Sequence, residues 1–168
     1  MSKYYNNFVK KAILAVFVSA VFVGAPAMAV IPNDPKYADQ APTWNQVNAP
    51  AAWDFATGSK RIVVAMIDTG MDTWHEDLRD NLWVNGEEVP GNGKDDDHNG
   101  YIDDINGWNF VESNADVRTS VFVAEDDKEA VRHGTIVGGQ IGARGGSGLD
   151  GAGVNWRVSL MPLRAIRS

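Results

Sequence analysis

No cysteine occurs among the 168 residues, so disulfides and thiolate zinc sites are excluded. Histidine is scarce as well: His75, His98 and His133 are the three, and no H-E-x-x-H pair joins any two of them, which sets zinc hydrolase chemistry aside. Lys and Arg number 15 against 22 Asp and Glu, a net charge of −7. Nucleic acid and anionic membrane surfaces would repel such a chain and are not expected partners. Long apolar runs are also missing. The longest, residues 12–23, falls short of the roughly 20 residues that a spanning helix requires, and Pro26 follows it.

That short run has a different logic. Lys3, Lys10 and Lys11 precede it and Ala27-Met28-Ala29 closes it, the tripartite pattern of a cleaved secretory signal over residues 1–29. Its removal takes away three lysines and no acid, so the mature chain is more acidic still. A secreted protein, extracellular or periplasmic, is expected, without membrane contact once the signal is gone. Export usually brings disulfides; without them, bound calcium is the natural stabiliser.

With 44% hydrophobic content over its 168 residues, the chain suits a single globular unit, residues 30–168, with an apolar core, expected to act as a monomer. Residues 30–43 are rich in Pro, Asn and Asp and read as an extended arm. Residues 48–57 carry Ala and Trp at helical spacing, with Gly58 as a stop. Residues 61–67 are apolar and β-branched without alternation, which predicts a strand buried on both faces, as in a parallel sheet. Residues 85–107 are dense in Asp, Asn and Gly and read as a structured loop, and residues 112–127 as an acidic surface excursion. A Gly-rich helix is expected from His133 to about Ala143, and a second buried strand over residues 158–166. The order strand, loop, helix, strand predicts a three-layer α/β domain whose ligand crevice lies beyond the carboxyl ends of parallel strands.

Asp68 falls at such a strand end, and His133 opens the Gly-rich helix. An Asp in this position is often a turn cap, and a lone His is as often structural as functional. Together they are what a Ser/His/Asp hydrolase needs: a carboxylate to orient the imidazole that deprotonates a serine. The runs AMIDTGMDTWHEDL and HGTIVGGQIGA resemble the aspartate and histidine motifs of the subtilisin-like serine proteases, and GVNWRVSLMPLRAI resembles the strand that follows them. The resemblance runs from about Pro32 to the last residue, covering the first part of a family domain. It implies a three-layer subtilisin-like fold present in part, a protein or peptide substrate, Asp68 as orienting acid and His133 as general base. Ile136 and Gly138 depart from the usual HGTHVAG pattern, at positions that do not carry the proton. The family's nucleophilic serine and oxyanion asparagine are expected beyond Ser168, since Ser147 and Ser159 lack their context. The chain as it stands is therefore expected to be inactive.

A second constellation is Asp95 to Asp104. Oxygen ligands on alternate residues followed by a turn glycine resemble the first half of a calcium loop, although Asn106 replaces the closing Glu of an EF-hand. Similar insertions occur in the resembled family as calcium-stabilised loops. Asp95, Asp97, Asn99 and Asp103 are the expected side-chain ligands, with the Tyr101 carbonyl. The resemblance also implies a calcium ligand at Asp77, paired with a loop after the histidine helix. There Gly146 stands about where the family has asparagine, which weakens that expectation. Two alternatives stay open: a non-catalytic secreted calcium-binding module, and an aspartic protease through Asp68-Thr69-Gly70, which would need two such loops sharing a proton.

Overall fold

The computed structural model describes residues 30–118 and 128–167. The expected signal, residues 1–29, and residues 119–127 of the acidic excursion lie outside the described residues. In chain order the elements are α1 (Tyr37–Gln46), α2 (Ala49–Trp53), β1 (Gly58–Asp68), a 3-10 turn (Arg79–Asn81), β2 (Trp108–Asn109), α3 (Lys128–Gly142) and β3 (Arg157–Arg164). The three strands form one parallel sheet in the order β1-β3-β2, with Ile67 opposite Leu163 and Asp68 opposite Arg164. This is a partial α/β fold with a parallel sheet, as the resemblance implies.

Packing is one-sided. Met66, Met71, Leu78, Ala143, Val158 and Leu160 form the main core, against which Val64, Leu82, Val137 and Ile141 lean. Burying residues such as Leu78 and Leu160 stabilises the fold by about 1.5–3 kcal/mol each. α3 can approach the sheet closely because its facing positions are glycines. A methyl group on Gly142 would stand 2.7 Å from Val158 Cγ1, and one on Gly138 2.7 Å from Met71 Sδ.

Strand β1 differs from the expected double burial. Met66 and Asp68 are buried, whereas Val63 is 46% and Ile67 68% exposed. The apolar run gave the strand but not its surroundings: β1 lies at the sheet edge, and α3 covers only the face of Val64 and Met66.

The arm also differs from an extended segment. Residues Tyr37–Gln46 are helical despite Pro42, because Trp44 packs edge-on against Trp53 and is 7% exposed. Tertiary burial outweighs the hydrogen bond that proline forfeits. Tyr37 and Trp156 complete this second cluster. The helix expected over residues 48–57 is shorter, Ala49–Trp53, with Asn48 in the left-handed region just before it. Among the described residues no helix is long and apolar enough to cross a membrane.

Candidate active site

β1 ends on Asp68, and the chain leaves it through a turn that only glycine accommodates at residue 70. Gly70 has φ +102°, and a methyl group there would meet the Val117 carbonyl oxygen at 2.5 Å. The Met71 amide donates to that same oxygen at 3.0 Å. α3 is tied to this turn by two bonds across the fold: Gly134 N–H to Thr69 Oγ1, 3.2 Å, and Asp72 N–H to Thr135 Oγ1, 3.0 Å. The helix starts at Lys128, five residues before the expected start, so His133 sits within it rather than at its first position. The added stretch, KEAVR, is made of residues a helix accepts readily.

The result is contact between two residues 65 apart in sequence. His133 Nδ1 lies 2.9 Å from both Asp68 Oδ1 and Oδ2. An ionised carboxylate only accepts, so Nδ1 carries the hydrogen, which leaves Nε2 the lone pair when the ring is neutral. The Asp68 side chain is 11% exposed and that of His133 62%, so the acid is sheltered while the ring faces outward. Burial by itself raises the Asp68 carboxyl. The bonds from His133 and the Thr69 amide, at 2.6 Å, outweigh it and hold the carboxyl below its ordinary range. An arrangement of this kind fixes one tautomer of an exposed imidazole, which can then take a proton at Nε2 and hold it against a buried charge.

An open cleft of about 350 Å³ borders the turn, lined by Trp74, Asn106, Asp116 and Arg118 among others. Arg118 lies 4.4 Å over the Trp74 ring and grips Asp116 with two bonds of 2.7 and 2.9 Å.

The acidic loop gathers part of its expected ligand set. Ligand oxygens of Glu88, Asp95 and Asp97 lie within 4.8 Å of one another, the one such group among the described residues. Glu88 was not singled out from the sequence. Its carboxylate is buried and accepts the amides of Asp96, Asp97 and Asp103, so it organises the loop from within. Asn85 donates to Asp97 at 2.9 Å and is the main cause holding that carboxyl below its ordinary range. Asn99 donates to Asp97, whereas the Asp103 carboxylate turns to the amides of Asn92 and Gly93. The Tyr101 ring packs on Trp108 and Phe110. Three converging carboxylates form an all-oxygen donor set of the hard type that suits calcium. Asp77 belongs to no such group; it is 1% exposed and hydrogen-bonded to Ser147.

Residues 59–168 match the subtilase family, and the chain belongs to it. It is 39% identical over 104 residues to subtilisin-like protease 1 of Plasmodium vivax, covering 61% of this chain and 15% of that protein. It is 32% identical over 139 residues to the halolysin-like extracellular serine protease Nep of Natrialba magadii, covering 81% and 20%. The extracellular basic protease of Dichelobacter nodosus is 28% identical over 148 residues, covering 80% and 23%. The chain thus spans less than a quarter of the length of each of these relatives.

Proposed function

We propose that the chain supplies the acid and the base of a secreted, calcium-stabilised serine endopeptidase site. The observation that carries this reading is the pair of 2.9 Å contacts from His133 Nδ1 to the buried Asp68 carboxylate. Family membership and a relative named as an extracellular serine protease support it. In the reaction, a serine hydroxyl attacks the peptide carbonyl while His133 Nε2 takes its proton, and a tetrahedral adduct forms. His133 then gives that proton to the leaving amine, and water repeats the sequence to release the acid. Asp68 holds the ring and stabilises the imidazolium. The serine must come from outside the pair's present surroundings. Ser147 Oγ is engaged with Asp34 and Asp77, and Ser159 Oγ with the Lys60 carbonyl. Calcium, when bound by Glu88, Asp95 and Asp97, would neutralise the loop and fix it beside the cleft. An aspartic-protease reading is disfavoured because both Asp68 oxygens face an imidazole rather than a second carboxyl.

The test joins this chain to a segment that carries the nucleophilic serine of a subtilase. Casein hydrolysis should appear, be blocked by a serine-directed reagent, and fall by about 10⁴-fold on Asp68→Asn. Activity that survives His133→Ala, or that yields to a pepstatin-type inhibitor, contradicts the assignment.

A further inference from the structure

β3 ends on Arg164, which stands opposite Asp68 in the sheet register. Just beyond it, the amides of Ala165 and Ile166 both donate to the Asp68 carbonyl oxygen, at 2.9 and 3.2 Å. On the other side the Arg164 carbonyl accepts the Phe110 amide at 2.8 Å. The residue thus lies between the strand that carries the acid and the segment 109–118.

That segment supports the turn after Asp68. Asn109 is fully buried and closes it into a loop: Nδ2 donates to the Asp116 carbonyl at 3.0 Å, and Oδ1 accepts the amides of Val111 and Glu112 at 3.1 Å each. The loop then delivers the Val117 carbonyl to the Met71 amide, 3.0 Å away. The Arg164 side chain sits between loop and turn and the residue is 8% exposed. Its stem lies against Gly70, where a methyl group would stand 3.3 Å from Arg164 Cδ, and its Nη1 is 3.7 Å from Glu112 Oε1.

A cation placed here is costly, because Arg164 Nε is buried without a hydrogen-bond partner. An apolar side chain of similar volume would fill the space at no such cost, so net stability does not account for the charge. What the charge adds is direction, since it draws the acids of the loop toward the turn. Arg118 is the main cause holding the Asp116 carboxyl below its ordinary range, and the Arg164 charge adds to it. The turn in its side meets α3 at Gly70, whose carbonyl oxygen leaves no room for a methyl group on Gly134. A displaced Gly70 would therefore move the carboxylate and the ring apart.

We propose that Arg164 is a positioning residue for the acid–base pair: its stem seats the Gly70 turn, and its charge holds the 109–118 loop against that turn, which keeps Asp68 within reach of His133. The inference rests on the reading of Asp68 and His133 as acid and base.

The experiment follows the low-field Nδ1 proton of His133 in the full chain, well below its melting temperature, and measures exchange of that proton with water. Arg164→Met keeps an apolar stem without the charge. Exchange should become about fivefold faster while circular dichroism still reports a folded protein, because the turn opens locally. Arg164→Lys should return the rate to within about twofold of wild type, since the attraction needs a charge and not a bidentate fork. Should Arg164→Met melt too low to measure, Glu112→Gln takes its place; that acid is half-exposed, and exchange should quicken by about twofold. Unchanged exchange in Arg164→Met, or in Glu112→Gln where it stands in, makes Arg164 a packing residue only and overturns the proposal, whatever the melting temperature does. A wild type without the signal contradicts the pair itself, and this inference with it.

Discussion

Gly134 lies so close to Gly70 that a methyl group on it would stand 2.0 Å from the Gly70 carbonyl oxygen and 3.2 Å from Asp68 Oδ1. The residue after His133 is therefore glycine for a reason of space: the helix must nearly touch the turn for the imidazole to reach the acid. Gly134→Ala should push α3 off the turn, cost about 1–3 kcal/mol as an overpacking change, and separate Asp68 from His133. Urea melts give the first effect. Loss of the low-field Nδ1 proton signal gives the second, and a variant that keeps both stability and signal would show the contact is not tight.

The acid limb of stability has a definite sign. Hydrogen bonds from His133 and Thr69 overcome burial and lower the Asp68 carboxyl in the folded state. Its contribution is therefore present above the ordinary value of 3.8 and lost as pH falls through the lower folded value. Asp68→Asn should flatten the stability profile in that window. Melting curves taken from pH 2 to 6 on both proteins decide this; parallel curves throughout would contradict it.

Calcium should bind the acidic loop through Glu88 together with Asp95 and Asp97. Calorimetry on Glu88→Gln and Asp97→Ala should each show affinity lowered by about tenfold or more, since either change removes a converging charge. Magnesium should compete poorly, because it demands a tighter octahedral shell. Equal calcium affinity in wild type and both variants would place the ion elsewhere.

How much of this was legible beforehand follows from how local each feature is. Asp68 and His133 could be singled out because each sits in a short run whose residues serve one turn, and because Asp68 closes the apolar run of residues 62–67 in β1. Glu88 could not, since its meeting with Asp95 and Asp97 depends on amides at 96, 97 and 103 folding back over it. Helix α1 was hidden by Pro42 and exists through Trp44 packing on Trp53, a contact between separate segments. The open face of β1 was equally invisible: a run of Ile and Val says that burial is favourable, not which neighbour supplies it.

That open face has a consequence for behaviour in solution. Val63 and Ile67, both well exposed, alternate along β1 on the side that α3 does not cover. The chain should therefore bind a hydrophobic dye such as ANS and self-associate at high concentration. Val63→Thr with Ile67→Thr should lower dye fluorescence while shifting stability by no more than about 0.5 kcal/mol per site. Unchanged fluorescence would mean that some other surface holds the dye.

The most direct measurement is the nitrogen-15 spectrum of His133 at a pH where its ring is neutral. Acid–base work on a serine requires the hydrogen on Nδ1, held by Asp68, and a bare lone pair on Nε2. The predicted result is a protonated Nδ1 shift and an unprotonated Nε2 shift, with this preference lost in Asp68→Asn. A hydrogen on Nε2, or a tautomer mixture indifferent to Asp68→Asn, would contradict the account.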